Sequence, residues 1–232
     1  MECDQKKIML QKTTPLPRVQ ATLRPYDATL VAVSKTKPKA DILALYEEGQ
    51  RDFGENRAQE LAEKAEHLPK DIRWHMVGHL QRNKVKYIAP FIHLLQSVDS
   101  PRLLRAVNKE AAKVDRVIDC LLQFKIARED TKYGFDLPGA RQLLEGADFA
   151  DLRHVRICGV MGMATFTDDK AVVRGEFQRL RHIFDELKRD YFSDAPAFRE
   201  LSMGMSNDYE IALEEGSTMV RIGTLLFGER NK

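Results

Sequence analysis

Eight short strand-like runs that alternate with helix-like segments limit most tightly what this chain can fold into. The runs fall over residues 30–33, 51–56, 73–78, 91–98, 117–126, 155–161, 199–203 and 219–222. Between them, helical patterns cover 57–68, 81–89, 101–114, 138–145, 168–191 and 206–215. One more follows Pro38, a proline suited to the first helical position; there Ile42, Leu43, Leu45 and Tyr46 recur at helical spacing and Gly49 closes the last turn. Asp99-Ser100-Pro101 is a cap followed by a proline that can open a helix. The run 117–126 lacks polar alternation, which suits a strand covered on both faces. Such alternation predicts parallel strands with helices on the outside.

At 232 residues, eight such units point to one α/β domain over 1–232, a single (β/α)8 TIM-type barrel. An open doubly wound sheet would normally need fewer strands, and no early Gly-x-Gly-x-x-Gly turn supports it. About ten residues follow the eighth run, so an incomplete last helix is expected. A weak, proline-bounded helix over 17–26 is expected to cover the gap, and the polar residues 1–14 to be flexible.

Charge and cysteine usage narrow the function class. Lys+Arg of 37 against Asp+Glu of 35 argues against binding nucleic acid through a basic face. Cys3, Cys120 and Cys158 form neither a disulfide framework nor a zinc spacing, and the last two lie in apolar runs, as reduced buried thiols would. No apolar stretch follows the charged N-terminus, and none reaches about 18 residues anywhere. The expectation is a cytoplasmic monomer with neither nucleic acid nor membrane as partner.

In this fold the functional groups project from the C-terminal ends of the strands. The first strand ends in Lys35, within Val33-Ser34-Lys35-Thr36-Lys37-Pro38. A lysine held at the exit of a buried strand is partly desolvated, which disfavours its ammonium form and suits it to attack a carbonyl; the alternative is a solvated lysine in a βα turn. Two turns at the other end of the chain, Gly204-Met205-Ser206 and Gly223-Thr224, combine glycine with a hydroxyl after strands seven and eight, the recurrent phosphate position of this fold. Ser206 is read as opening a helix whose N–H groups add to the site. Each turn alone is equally an ordinary cap. A strand-end lysine facing a phosphate site suits an aldehyde phosphate such as pyridoxal 5′-phosphate (PLP). Arg221 would then lie beside the ring, where a permanent positive charge opposes protonation of the pyridine nitrogen; otherwise it is a salt bridge closing the barrel. His75 is placed with Gly78 at the end of the third strand, as a base or, more commonly, a bracing residue. His79 and His93 have no partner at ligand spacing, and no metal site is expected.

Five blocks carry a family resemblance: Val33-Ser34-Lys35-Thr36-Lys37-Pro38, Phe53-Gly54-Glu55-Asn56, the run from Trp74 to Lys84, Ser202-Met203-Gly204-Met205-Ser206, and Val220-Arg221-Ile222-Gly223-Thr224. They resemble the YggS/PROSC family of pyridoxal phosphate homeostasis proteins, related in fold to the N-terminal barrel of alanine racemase. The match runs from about residue 30 to 228, in the family's order. It departs before residue 30, where the usual N-terminal helix looks shortened and interrupted by Pro25. The resemblance implies PLP held as a Schiff base on Lys35. It also implies phosphate contacts from Ser206, Gly223 and Thr224, Arg221 near the pyridine nitrogen, and Asn56 along the ring. The implied role is to buffer, carry or protect PLP, with PLP-dependent apoenzymes as candidate recipients and no settled catalytic activity.

Two other readings stay open. A PLP-dependent racemase for a small amino acid such as alanine needs an acid or base on each face of the α-carbon. In alanine racemases the second is a tyrosine from an additional domain, for which the sequence leaves no room; Tyr133 and Tyr209 are the substitutes. A phosphosugar enzyme using Lys35 on a ketose is the third. Binding is favoured over catalysis.

Overall fold

A computed structural model describes residues 14–127 and 133–229. Cys3, Lys132 and residues 1–13 of the expected flexible segment lie outside the described residues. Eight strands form a closed barrel in chain order: β1 (Thr29–Val33), β2 (Asp52–Glu55), β3 (Arg73–Met76), β4 (Leu94–Val98), β5 (Ile118–Phe124), β6 (Val155–Gly162), β7 (Glu200–Ser202) and β8 (Met219–Ile222). All neighbours are parallel, and β8 returns to β1 with Thr29 opposite Met219 and Ala32 opposite Ile222. This is the (β/α)8 barrel that the alternation of strand-like and helix-like runs predicts.

Around it run α2 (Lys39–Glu47), α3 (Ala58–His67), α4 (Pro101–Ala112), α5 (Leu137–Glu145), α6 (Lys170–Tyr191), α7 (Tyr209–Glu214) and the single turn α8 (Thr224–Phe227). Their ends follow local chemistry. Ser100 Oγ accepts from the Leu103 N–H to cap α4, with Pro101 at the first position. After α2, Gly49 (φ +99°) donates its N–H to Tyr46 O and Gln50 to Leu45 O, the paired bonds of a glycine C-cap. α1 (Leu16–Leu23) buries Leu16, Val19 and Leu23 on one face. Thr14 Oγ1 donates to Glu48 Oε2 at the end of α2 (2.6 Å), and Arg18 and Thr22 lie close enough to Tyr209 of α7 to influence its phenol. α1 therefore lies between α2 and α7, where a full eighth helix would sit.

Strand alternation divides the buried side chains. Outward residues such as Ala32, Phe53, Trp74, Leu95, Leu122, Val160, Leu201 and Val220 pack on the helices. Inward, Val31, Leu94, Leu121, Cys158, Met161 and Met219 fill the barrel. Four buried polar residues, His75, Gln96, Ser202 and Arg221, share that interior.

Three local expectations are corrected. Residues 82–87 form 3₁₀ turns instead of an α-helix, and their buried apolar residues Val85 and Ile88 fall at the three-residue spacing of that helix. α7 begins at Tyr209, because Asp208 Oδ1 accepts the Met205 N–H (2.5 Å) and holds 205–208 as a turn; Ser206 sits in that turn and opens no helix. Pro38 lies one residue outside α2, as its N-cap.

Gly175 is exposed within α6 and has nothing within 4 Å of where a Cβ would stand. Gly175→Ala is expected to stabilise the protein by about 1 kcal/mol through helix propensity alone. The check is the denaturant midpoint, which should rise with an unchanged slope.

Candidate functional site

The inward side chains of β1 are Val31 and Val33, and the same two-residue period carries Lys35 to the barrel mouth. Ser34 and Lys37 close a β-turn, with the Lys37 N–H donating to Ser34 O (3.0 Å). Thr36 occupies its third position at φ +64°, a conformation that costs a β-branched residue energy and needs support. The support comes from outside the barrel. Glu60 Oε1 accepts the Thr36 N–H (2.7 Å), and Lys64 Nζ donates to Ser34 O (2.9 Å), Glu55 Oε1 (2.7 Å) and Glu60 Oε1 (2.7 Å). Ser34 Oγ donates to Glu55 Oε1 as well (2.7 Å). Three charges, two of them buried, thus hold the backbone on both sides of Lys35. Burial raises the Glu55 pKa despite the hydrogen bond and charge of Lys64, and Glu55 Oε2 has no hydrogen-bond partner among the described residues.

Lys35 lines a cavity of about 550 Å³ at the C-terminal end of the barrel. Asn56, Ser206, Arg221, Gly223 and Thr224 line the same cavity, so all six residues singled out from the sequence come together. Asn56 is pressed against Gly78, where an added Cβ would stand 2.6 Å from Asn56 O. Gly204 (φ +95°) lets the chain leave β7 beneath Ser206, and a Cβ there would meet Ala212 at 2.6 Å. Ser206 Oγ is 3.4 Å from the Leu225 N–H, joining the two hydroxyl-bearing turns. The leading N–H groups of α8, at Thr224 and Leu225, have no acceptor within the helix.

Lys37, the nearest other lysine on the loop, is committed elsewhere. Its ammonium donates to Phe227 O (2.8 Å) and Glu229 O (2.9 Å), tying the β1 loop to the segment after β8. Arg221 is 4% exposed, and it is not the barrel-closing salt bridge. Its Nη1 donates to Ser202 Oγ (2.6 Å) and its Nη2 to Gly162 O (2.8 Å). Burial lowers its pKa to about 10, opposed by the charge of Asp208, so it stays protonated at neutral pH. A buried guanidinium without a hydrogen-bonded carboxylate among the described residues, facing a cavity, is built to receive an electron-rich group.

Other placements differ from expectation. His75 is not at the mouth: it pairs with Gly54 and Leu94 toward the opposite end, buried, with Nε2 3.1 Å from Asp52 Oδ1. Asp52, His75 and His93 bring ligand-type atoms within 4.8 Å of one another, a grouping that sequence spacing hides. The Asp52 carboxylate already receives both Nε and Nη2 of Arg73. Burial would raise the Asp52 pKa, but the bonds from Arg73 and His75 outweigh it and hold the group far below the usual carboxylate range. His79, left without a partner in the sequence, finds Asp99 from the next strand's end (Nδ1 to Oδ2, 2.8 Å) and stacks on Tyr133 at 4.2 Å. Both His79 and Tyr133 line the cavity, as do Thr165 and Asp168. The adjacency of neighbouring strand ends was the signal that would have found His79.

Comparison with known proteins agrees with this geometry. The family model described as alanine racemase, N-terminal domain, matches residues 16–231. The pyridoxal phosphate homeostasis protein of Aquifex aeolicus is 41% identical over 88% of this chain and 87% of its own. That of Pasteurella multocida is 37% identical over 92% and 91%. PipY of Synechococcus elongatus, solved with PLP bound, superposes with a TM-score of 0.81 at 36% identity, covering 92% of this chain and 98% of PipY. PipY without PLP gives 0.83 over the same shares.

Proposed function

Since the chain belongs to the family of pyridoxal phosphate homeostasis proteins, built on the alanine racemase N-terminal barrel, we propose that it binds PLP at the barrel mouth and serves in PLP homeostasis. The observation that carries this reading is one cavity with an inward lysine on one wall and a buried, charged arginine on another. Two hydroxyl-bearing turns complete it. PLP supplies an aldehyde that condenses reversibly with a primary amine, together with a phosphate and a basic ring nitrogen.

Each need has a residue. Lys35 is the tethering amine, and the clamp of Glu55, Glu60 and Lys64 fixes where that amine enters the cavity. Ser206, Gly223 and Thr224 hold the phosphate through hydroxyl and N–H groups. Asn56 would lie along the ring. Arg221 would face the ring nitrogen and, remaining charged, oppose its protonation, which would weaken the ring as an electron sink. A site so arranged retains PLP better than it promotes carbanion chemistry, and this favours holding the cofactor over racemising an amino acid. The protein is read as a cytoplasmic monomer that passes PLP to apoenzymes; buried Cys120 and Cys158, both unbridged, suit a reducing compartment.

Titration of the purified protein with PLP, followed by visible absorbance, is expected to show one saturable site. The loaded protein is expected not to exchange the α-proton of alanine or serine in deuterated water. Exchange at about 1 per second or faster that required Lys35 would favour the racemase reading instead.

A further inference from the structure

A chain of hydrogen bonds runs down the barrel axis from Arg221 to the opposite end, through residues that the binding of PLP does not itself require. Arg221 Nη1 donates to Ser202 Oγ (2.6 Å). The Ser202 hydroxyl then has its own proton to place, and Gln96 Oε1 is its acceptor at 2.7 Å. This turns Gln96 Nε2 toward His75 Nδ1 (2.9 Å), with Met219 Sδ at 3.1 Å. With Nδ1 accepting, the His75 proton sits on Nε2 and is donated to Asp52 Oδ1 (3.1 Å). Arg73 holds that carboxylate from solvent. Every donor in the series points the same way, from a buried guanidinium to a buried carboxylate, and this assignment satisfies each group.

Ser202 and Gln96 are each 0% exposed, and His75 is 1%. Four polar side chains inside a barrel that apolar residues could fill need a reason. Arg221 supplies it. A long side chain with no hydrogen-bonded carboxylate among the described residues would otherwise choose among rotamers, and its charge would move with it. The charged and titratable groups around this series are Asp208 and Lys35 at the mouth and Asp52, Arg73 and His93 at the far end, where burial lowers the His93 pKa and favours its neutral form.

We infer that Ser202 and Gln96 are positioning residues for Arg221, holding its guanidinium on the pyridine nitrogen of bound PLP from inside the barrel. The inference rests on the PLP reading above. His75 and Asp52 anchor the far end of the series.

The test uses PLP labelled with ¹⁵N at the pyridine nitrogen, bound to the wild-type chain and to Gln96→Leu, Ser202→Ala and Arg221→Ala. In the wild type the nitrogen is expected to stay unprotonated through neutral pH. In Gln96→Leu and in Ser202→Ala, which removes a single oxygen, its titration is expected to move up by about one pH unit, because the opposing charge is no longer held in place. Adding Gln96→Leu to Arg221→Ala should produce no further shift. Borohydride trapping on the same samples separates the two claims. No lysine adduct in the wild type would remove the PLP reading itself. An adduct in Gln96→Leu or Ser202→Ala with an unshifted nitrogen, or a full shift from Gln96→Leu without Arg221, would overturn the positioning role.

Discussion

Lys64→Met is expected to destabilise the protein by about 3–5 kcal/mol and to lose PLP along with the stability. Lys64 Nζ lies 2.7 Å from both Glu55 Oε1 and Glu60 Oε1, with its side chain 6% exposed and that of Glu55 wholly buried. Methionine fills much of the same volume but leaves Glu55 as a buried carboxylate with no cation. It also removes the donor to Ser34 O, so the turn that carries Lys35 loses one of its fixed points. The pH dependence has a definite sign. Burial raises the Glu55 pKa in the folded state, so the stability linked to this group is complete below the unfolded carboxylate value, about 4.3, and is lost as pH rises through the folded value. Without Lys64 that folded value climbs further. The deficit of Lys64→Met against the wild type should therefore be largest at neutral pH and shrink as pH falls toward about 4.3. Denaturant unfolding at two pH values measures it. An equal deficit at both would show that Glu55 is not the group left exposed to the loss.

Gly159→Ala is expected to abolish folding. Gly159 sits in β6 where the register with β5 shifts, at φ +152°, and a Cβ there would stand 1.8 Å from Glu200 O on β7. The obstacle is the backbone of Glu200, so no side-chain rotation relieves it. The strands must part, at a cost of more than about 4 kcal/mol, a large share of a typical domain's stability. Soluble yield and the cooperative unfolding transition are the readouts. A folded variant with near wild-type stability would mean that β6 and β7 approach less closely than described.

What the sequence could reveal depended on how local the cause was. The apolar run 30–33 placed Lys35 at the exit of the first strand, and β8 was read to the residue, because each signal is contained in a few neighbouring positions. Arg221, Gly223 and Thr224 were legible for the same reason. The start of α7 was not, since a side chain at Asp208 competes with the helix for the N–H of Met205. Nor was the support beneath the site. Lys64 meets Ser34 across 30 positions and Ser202 meets Gln96 across 106, distances over which spacing carries no signal. His75 was misplaced because the end of β3 was set two residues too late, which moved an interior residue to the mouth.

The central claim is that Lys35, on a turn clamped from outside the barrel, is the group that holds PLP. Borohydride reduction of the PLP-loaded protein followed by peptide mass mapping tests it most directly. The expected result is a single pyridoxyl adduct on Lys35 and none on Lys37, whose ammonium is engaged by Phe227 O and Glu229 O. An adduct on Lys37 or on any other lysine, or no adduct at saturating PLP, would contradict it.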